Sequence, residues 1–176
     1  MKKSERLFRL LFLPSLAVII WLSAFIGVFL KGSQMINGDG DLGRHITIGN
    51  YILNTSKIPT TDVFSHTMYG EILTPHEWLS QVLFAVAYRM MGLDGAIILA
   101  ALVISLSFTL VYLRSSRNRT SFFSLLFVGA LIVLTSAIHW MSRPHIFTFL
   151  LLALWMLVLE NMSDGKIKQW FWMPII

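Results

Sequence analysis

Polar, chemistry-bearing side chains crowd into one stretch of this 176-residue chain. Between residues 31 and 93 lie five of the nine acids (Asp39, Asp41, Asp62, Glu71, Glu77) and three of the five histidines (His45, His66, His76). The stretch opens on Gly38-Asp-Gly-Asp-Leu-Gly-Arg-His45, passes through Ile58-Pro-Thr-Thr-Asp-Val-Phe-Ser-His66 and closes on Thr74-Pro-His-Glu-Trp78. Asp41 and His45 are four residues apart and share a helical face, while Asp39 precedes them on a glycine-flanked turn. Two carboxylates and an imidazole converging in this way suit Mg²⁺ or Mn²⁺, or the proton of an acceptor hydroxyl. The plainer assignment for the same residues is that Asp41 caps a helix and Asp39 shapes the turn.

The elements that must position these groups follow from periodicity. Leu42, Ile46, Gly49, Ile52 and Leu53 recur at near-helical spacing, which predicts a short amphipathic helix over 41–55 with Asp41, Arg44 and His45 on its polar face. Thr74-Pro-His-Glu77 has the form of a capping box, with Thr74 as N-cap, Pro75 in the first turn and Glu77 reaching back. A second interfacial helix is expected from there until Gly92 breaks it. Between the two, Pro59 to Gly70 reads as irregular. His76 beside the cap is a candidate ligand or phosphate donor. Arg143, flanked by His139 and His145, is a candidate to pair with a phosphate, or simply to snorkel at a span end.

The rest of the chain is strongly apolar: 56% hydrophobic and 13% charged residues with mean hydropathy +0.70. Water-exposed surface cannot be made from so few charges, whereas a bilayer solvates apolar side chains directly. The expected fold class is therefore an all-α integral membrane protein. Leu10–Leu30 is an uncharged run of roughly 31 Å as helix, and further spans are expected at Asp94–Leu113, Thr120–Met141 and Ile146–Glu160. The last is extended by Arg143-Pro-His, and a fifth begins at Gln169. Trp140, Trp170 and Trp172 fall at span ends, as interfacial anchors do. The segments 1–9, 114–119 and 160–168 hold nine of the fourteen Lys and Arg. They are assigned to the cytoplasm of a cell-membrane protein, which leaves 31–93 outside as a long external loop. The basic excess therefore reports topology rather than nucleic-acid binding. Without cysteine, disulfides and thiolate chemistry are excluded. The unfinished apolar run at the end predicts that 1–176, one transmembrane domain, is the N-terminal part of a longer protein.

Taken in order, Asp39-x-Asp41-Leu42, His45, Gly49, Ile58-Pro-Thr-Thr-Asp62-x-Phe64-Ser65, His76-Glu-Trp-Leu79 and Arg143-Pro-His-Ile-Phe147 resemble the N-terminal part of bacterial multi-spanning glycosyltransferases of the GT-C type. The resemblance is to the protein mannosyltransferase-like and aminoarabinose transferase-like members. It implies that an acid of the first external loop, Asp41 or Asp39, acts on the acceptor or holds a metal, between juxtamembrane helices that shape a groove. The partners implied are membrane lipids and a polyprenyl-phosphate sugar donor, with Arg44, His45, His76, Glu77 and Arg143 as substrate-binding candidates. A non-catalytic polytopic protein, an assembly subunit or transporter fragment, is the competing class. Proton or ion coupling is disfavoured because the spans lack internal Asp, Glu, Lys and Arg.

Overall fold

A computed structural model of the chain describes residues 15–38, 40–116 and 121–165. The basic N-terminal segment, the start of the first apolar run, Asp39, Thr120 and everything from Lys166 onward, including Trp170 and Trp172, lie outside the described residues. The order is α1 (Leu16–Leu30), α2 (Gly32–Asn37), α3 (Leu42–Thr55), α4 (Trp78–Ser116), α5 (Phe122–Ser136), a 3-10 turn (Ala137–His139) and α6 (Ile146–Ser163). Among the described residues there is no strand, only an isolated antiparallel bridge between Thr61 and Ile72.

The all-helical expectation holds among the described residues. Two helices, α4 and α6, are long and apolar enough to cross a membrane. The described part of the first apolar run is a 15-residue helix whose N-cap, Ser15, accepts the Val18 N–H at 3.3 Å. Thr120–Met141 was expected as one span. Its helix ends at Ser136, followed by a single 3-10 turn and an irregular corner. At about 1.5 Å per residue, α5 reaches roughly 22 Å, short of a hydrocarbon core of about 30 Å. In α6 the expected start at Ile146 is met. The carbonyls of Arg143, Pro144 and His145 accept the N–H groups of Ile146, Phe147 and Thr148, and the helix continues to Ser163.

Helix α4 is two limbs, joined where Met91 and Gly92 leave helical geometry. Gly92 adopts φ +62°, a region that favours a residue without Cβ. The chain turns back on itself here. A straight helix would hold Ala87 and Gly95 about 12 Å apart, yet a Cβ on Gly95 would overlap the Ala87 carbonyl. The break expected at Gly92 is thus real.

All other packing is organised around α4. Ala96, Ala100, Ala101, Ile104 and Ser105 on the second limb are fully buried, with Val28 of α1 and Ile146 of α6 in the same core. Small side chains allow close approach of apolar helices. The buried hydroxyls of Ser107 and Thr109 donate to carbonyls one turn back, at 2.7 Å each, so no polar atom is stranded there. Helix α5 stands apart, with Phe123, Leu126, Phe127 and Leu134 all well exposed.

Segments expected on one side of the bilayer are brought together in pairs. Arg114 pairs with Glu160 where the second limb and α6 end. At the opposite ends, Lys31 lies 5.5 Å from the Trp140 ring centroid and Arg143 meets Asp41. Trp140 is corrected from interfacial anchor to core residue: it is 9% exposed and edge-on to Phe108 at 5.7 Å.

Candidate functional site

The amphipathic helix expected over 41–55 is α3, and its partner is the first limb of α4. His45 meets Gln81, Gly49 meets Gln81 and Ala85, and Asn50 and Asn54 meet Arg89. Contacts that advance together along both chains mean that the two helices run parallel. Gly49 makes this possible, because a Cβ there would overlap the Gln81 carbonyl.

This close approach corrects the placement of His45. Instead of lying on an exposed polar face, it is 4% exposed, with Nδ1 3.4 Å from Gln81 Nε2 and 3.8 Å from a Glu77 carboxylate oxygen. The signal was present in the spacing. His45 is three residues after Leu42 and four before Gly49, and therefore on the buried stripe as well as on the face of Asp41. Gln81, a polar residue on the first limb, is 1% exposed, and its Oε1 has no hydrogen-bond partner among the described residues.

Glu77 is corrected too. The helix starts at Trp78, one turn later than a capping box at Thr74 requires; the Thr74 carbonyl accepts the His76 N–H at 3.0 Å. Glu77 stands at the helix entrance with its carboxylate toward His45. The His76 ring is exposed, with Nδ1 3.2 Å from the Thr74 carbonyl, in an open groove with Trp78 and Pro59.

Asp41 precedes the first residue of α3, but its side chain makes no capping bond. Its Oδ2 lies 3.1 Å from Nη2 of Arg143, the two side chains 50% and 35% exposed. The capping assignment therefore fails, and two candidates far apart in sequence form one pair where α3, α4 and α6 all begin. His139 and His145 flank Arg143 as expected, their rings 6.4 Å apart, with His145 Nε2 2.7 Å from the His139 carbonyl. Asp39, the other half of the expected metal pair, lies outside the described residues. Among the described residues no group of three His, Asp or Glu is placed to hold a metal ion.

Arg44 is not part of this pair. It faces the connection between α3 and α4, where the region expected to be irregular forms a compact turn. Asp62 Oδ1 accepts the N–H groups of Phe64 (2.8 Å) and Ser65 (2.9 Å), and Oδ2 accepts the Ser65 hydroxyl (2.6 Å). These bonds, the hydroxyl first, hold the Asp62 carboxyl below its usual range, with a smaller contribution from the Arg44 charge. The Thr61–Ile72 bridge closes the base of the turn. Arg44, Thr47 and Ile48 with Asp62, Phe64, Ser65 and Leu73 line a cavity of about 350 Å³.

What the arrangement can do is accept a proton at a half-exposed carboxylate while a guanidinium beside it meets an anion. No family model, curated protein or solved structure matches the chain, so its chemistry rests on these residues.

Proposed function

We propose that this protein is a multi-pass membrane glycosyltransferase that moves a sugar from a polyprenyl-phosphate donor to an acceptor on the external face. The observation that carries the reading is the Asp41–Arg143 pair, a general base and an anion partner within 3.1 Å of one another. The Asp41 carboxylate takes the proton of the acceptor hydroxyl as its oxygen bonds to the sugar's anomeric carbon. The bond from that carbon to the donor phosphate breaks, and its electron pair leaves on the polyprenyl phosphate, whose charge Arg143 meets. Asp39 assists directly or through Mg²⁺ or Mn²⁺, and Glu77 and His76 stand on the acceptor side.

The apolar exposure of α1, α5 and α6 supports entry of the donor from the bilayer, with four spans and residues 31–93 outside. So does the pairing of Lys31 with Trp140 and of Arg114 with Glu160 at opposite ends.

Asp41→Asn in the whole protein tests the reading. Asn keeps the size of Asp and removes the charge, and since Asp41 makes no capping bond, folding should change little. Transfer from polyprenyl-phosphate sugars should fall by about 10²-fold or more, with insertion and expression retained. Retention of full transfer would overturn the assignment of Asp41. Parallel assays with EDTA and added Mg²⁺ or Mn²⁺, and with Asp39→Asn, separate an unaided base from a metal-assisted one.

A further inference from the structure

The cavity between α3 and the Asp62 turn is built differently from the Asp41–Arg143 pair. Its one cation, Arg44, is engaged by no hydrogen bond or ion pair among the described residues, although it lies close to Asp62. Asp62 itself is already committed to three bonds within its turn. The guanidinium therefore retains its fork of donors for a ligand, and a fork of that shape matches a carboxylate or a phosphate. The cavity's other lining is largely apolar: Ile48 one turn along the same helix, with Leu73 and Phe64 from the connection, the last fixed by an edge-to-face contact with Tyr51 at 5.5 Å. The Ser65 oxygen and the remaining lone pair of Asp62 Oδ2 add hydroxyl-recognising groups to the lining. At about 350 Å³ the space is at the small end of ligand sites, of monosaccharide rather than polymer size.

We propose that this cavity binds a sugar ring carrying a carboxylate or phosphate. Arg44 holds the anionic group, Phe64 packs against the apolar face of the ring, and Ser65 and Asp62 meet its hydroxyls. Resting on the transferase reading above, the bound sugar is the acceptor. Arg44 follows Asp41 by three residues on α3, so the anion is anchored one helical turn from the base, and a neighbouring hydroxyl is presented to Asp41. Arg44 is then a specificity-determining residue for the acceptor, and Arg143 alone serves the donor.

The test is calorimetric titration of the whole protein in phosphatidylcholine nanodiscs with glucose 6-phosphate, glucuronate and neutral glucose. At least one of the two anionic sugars should bind, and glucose should bind at least tenfold more weakly or not at all. Arg44→Gln should weaken anion binding by about tenfold or more, whereas Lys57→Gln, which removes an exposed cation outside the cavity, should change it by less than twofold. Failure of both anions to bind, or binding indifferent to Arg44→Gln, would overturn the site. Nanodiscs containing phosphatidylglycerol distinguish the source of the anion: if that lipid abolishes sugar binding in an Arg44-dependent way, the group recognised is a lipid headgroup and the acceptor proposal falls. Asp41→Asn should keep anion binding while losing transfer. Thus an Asp41→Asn protein that still transfers sugar counts against the base, and an Arg44→Gln protein that still binds the anion counts against the cavity.

Discussion

The two limbs of α4 are held by different kinds of force, although they belong to one run of sequence. The second limb is packed through Ala96, Ala100, Ala101 and Ile104, side chains that carry no directional bonds. The first limb is held to α3 by particular groups at particular places: Gln81 against His45, the Gln81 carbonyl against Gly49, and Arg89 to Asn50 and Asn54. Apolar packing tolerates exchange of one aliphatic residue for another of similar volume, whereas a polar clamp or a backbone-to-backbone contact does not. The region that carries the candidate chemistry is thus the one whose geometry is specified atom by atom. The second limb, expected as a membrane span, is specified mainly by size and apolarity.

The contrast is sharpest at two glycines. A Cβ at Gly49 would run into the backbone of the first limb, while at Gly129 on α5 there is nothing within 4 Å. Gly49→Ala should destabilise the folded protein by about 3 kcal/mol, because a backbone carbonyl cannot step aside. Gly129→Ala should be neutral or stabilise by up to about 1 kcal/mol through helix propensity. Chemical denaturation of both variants in the same detergent makes the comparison, and equal midpoints would remove the distinction between the tightly fitted α3 contact and the open face of α5. A smaller effect is expected at Arg89. Its Nε donates to Asn50 Oδ1 at 2.6 Å and its Nη2 to Asn54 Oδ1 at 2.5 Å, but the side chain is exposed and water competes for both bonds. Arg89→Met keeps the aliphatic stem and should cost about 1 kcal/mol. Hydrogen exchange should show the loss at the C-terminal turns of α3 and not in the second limb.

The smallest effect belongs to the turn over the cavity. Asp62 is held below its unfolded value of 3.8, so the stabilisation it gives the turn is present above that pH and is lost as pH falls through the lower folded value. Exchange at the Phe64 and Ser65 amides should accelerate, beyond its ordinary pH dependence, as the solution is acidified below 3.8, while the second limb is unchanged. Asp62→Asn should remove that dependence. Equal acid response in both regions would mean that the turn is not an independent unit.

Much of this architecture was legible in the sequence. The period of Leu42, Ile46 and Gly49 marked α3 to within a residue of its ends, Gly92 marked the turn between the limbs, and basic-residue counting put Asp41 and Arg143 on one side, where they pair. What could not be read were features created by contact between elements. Nothing local says that His45 and Gln81 face each other, because each looks polar and exposable until Gly49 lets the helices close. The capping-box pattern at Thr74 was a local signal that lost: the Thr74 carbonyl bonds His76, and the helix begins at Trp78. Trp140 looked like an anchor at a span end, but α5 ends early and the following corner turns the indole inward onto Phe108.

The parallel arrangement of α3 and the first limb also sets a minimum length for the chain between them. Antiparallel neighbours can be joined by a few residues, but here the backbone leaves α3 at Thr55 and must travel back beside the pair before α4 begins at Trp78. The return covers roughly 21 Å, the length of α3, and fully extended chain needs about seven residues for it. The connection 56–77 is several times longer, and the surplus is folded into the bridged turn that walls the cavity. Trimming it could preserve the helix pair while erasing the cavity, so length variation in this one segment offers a route by which acceptor choice can change without disturbing Asp41 or Arg143.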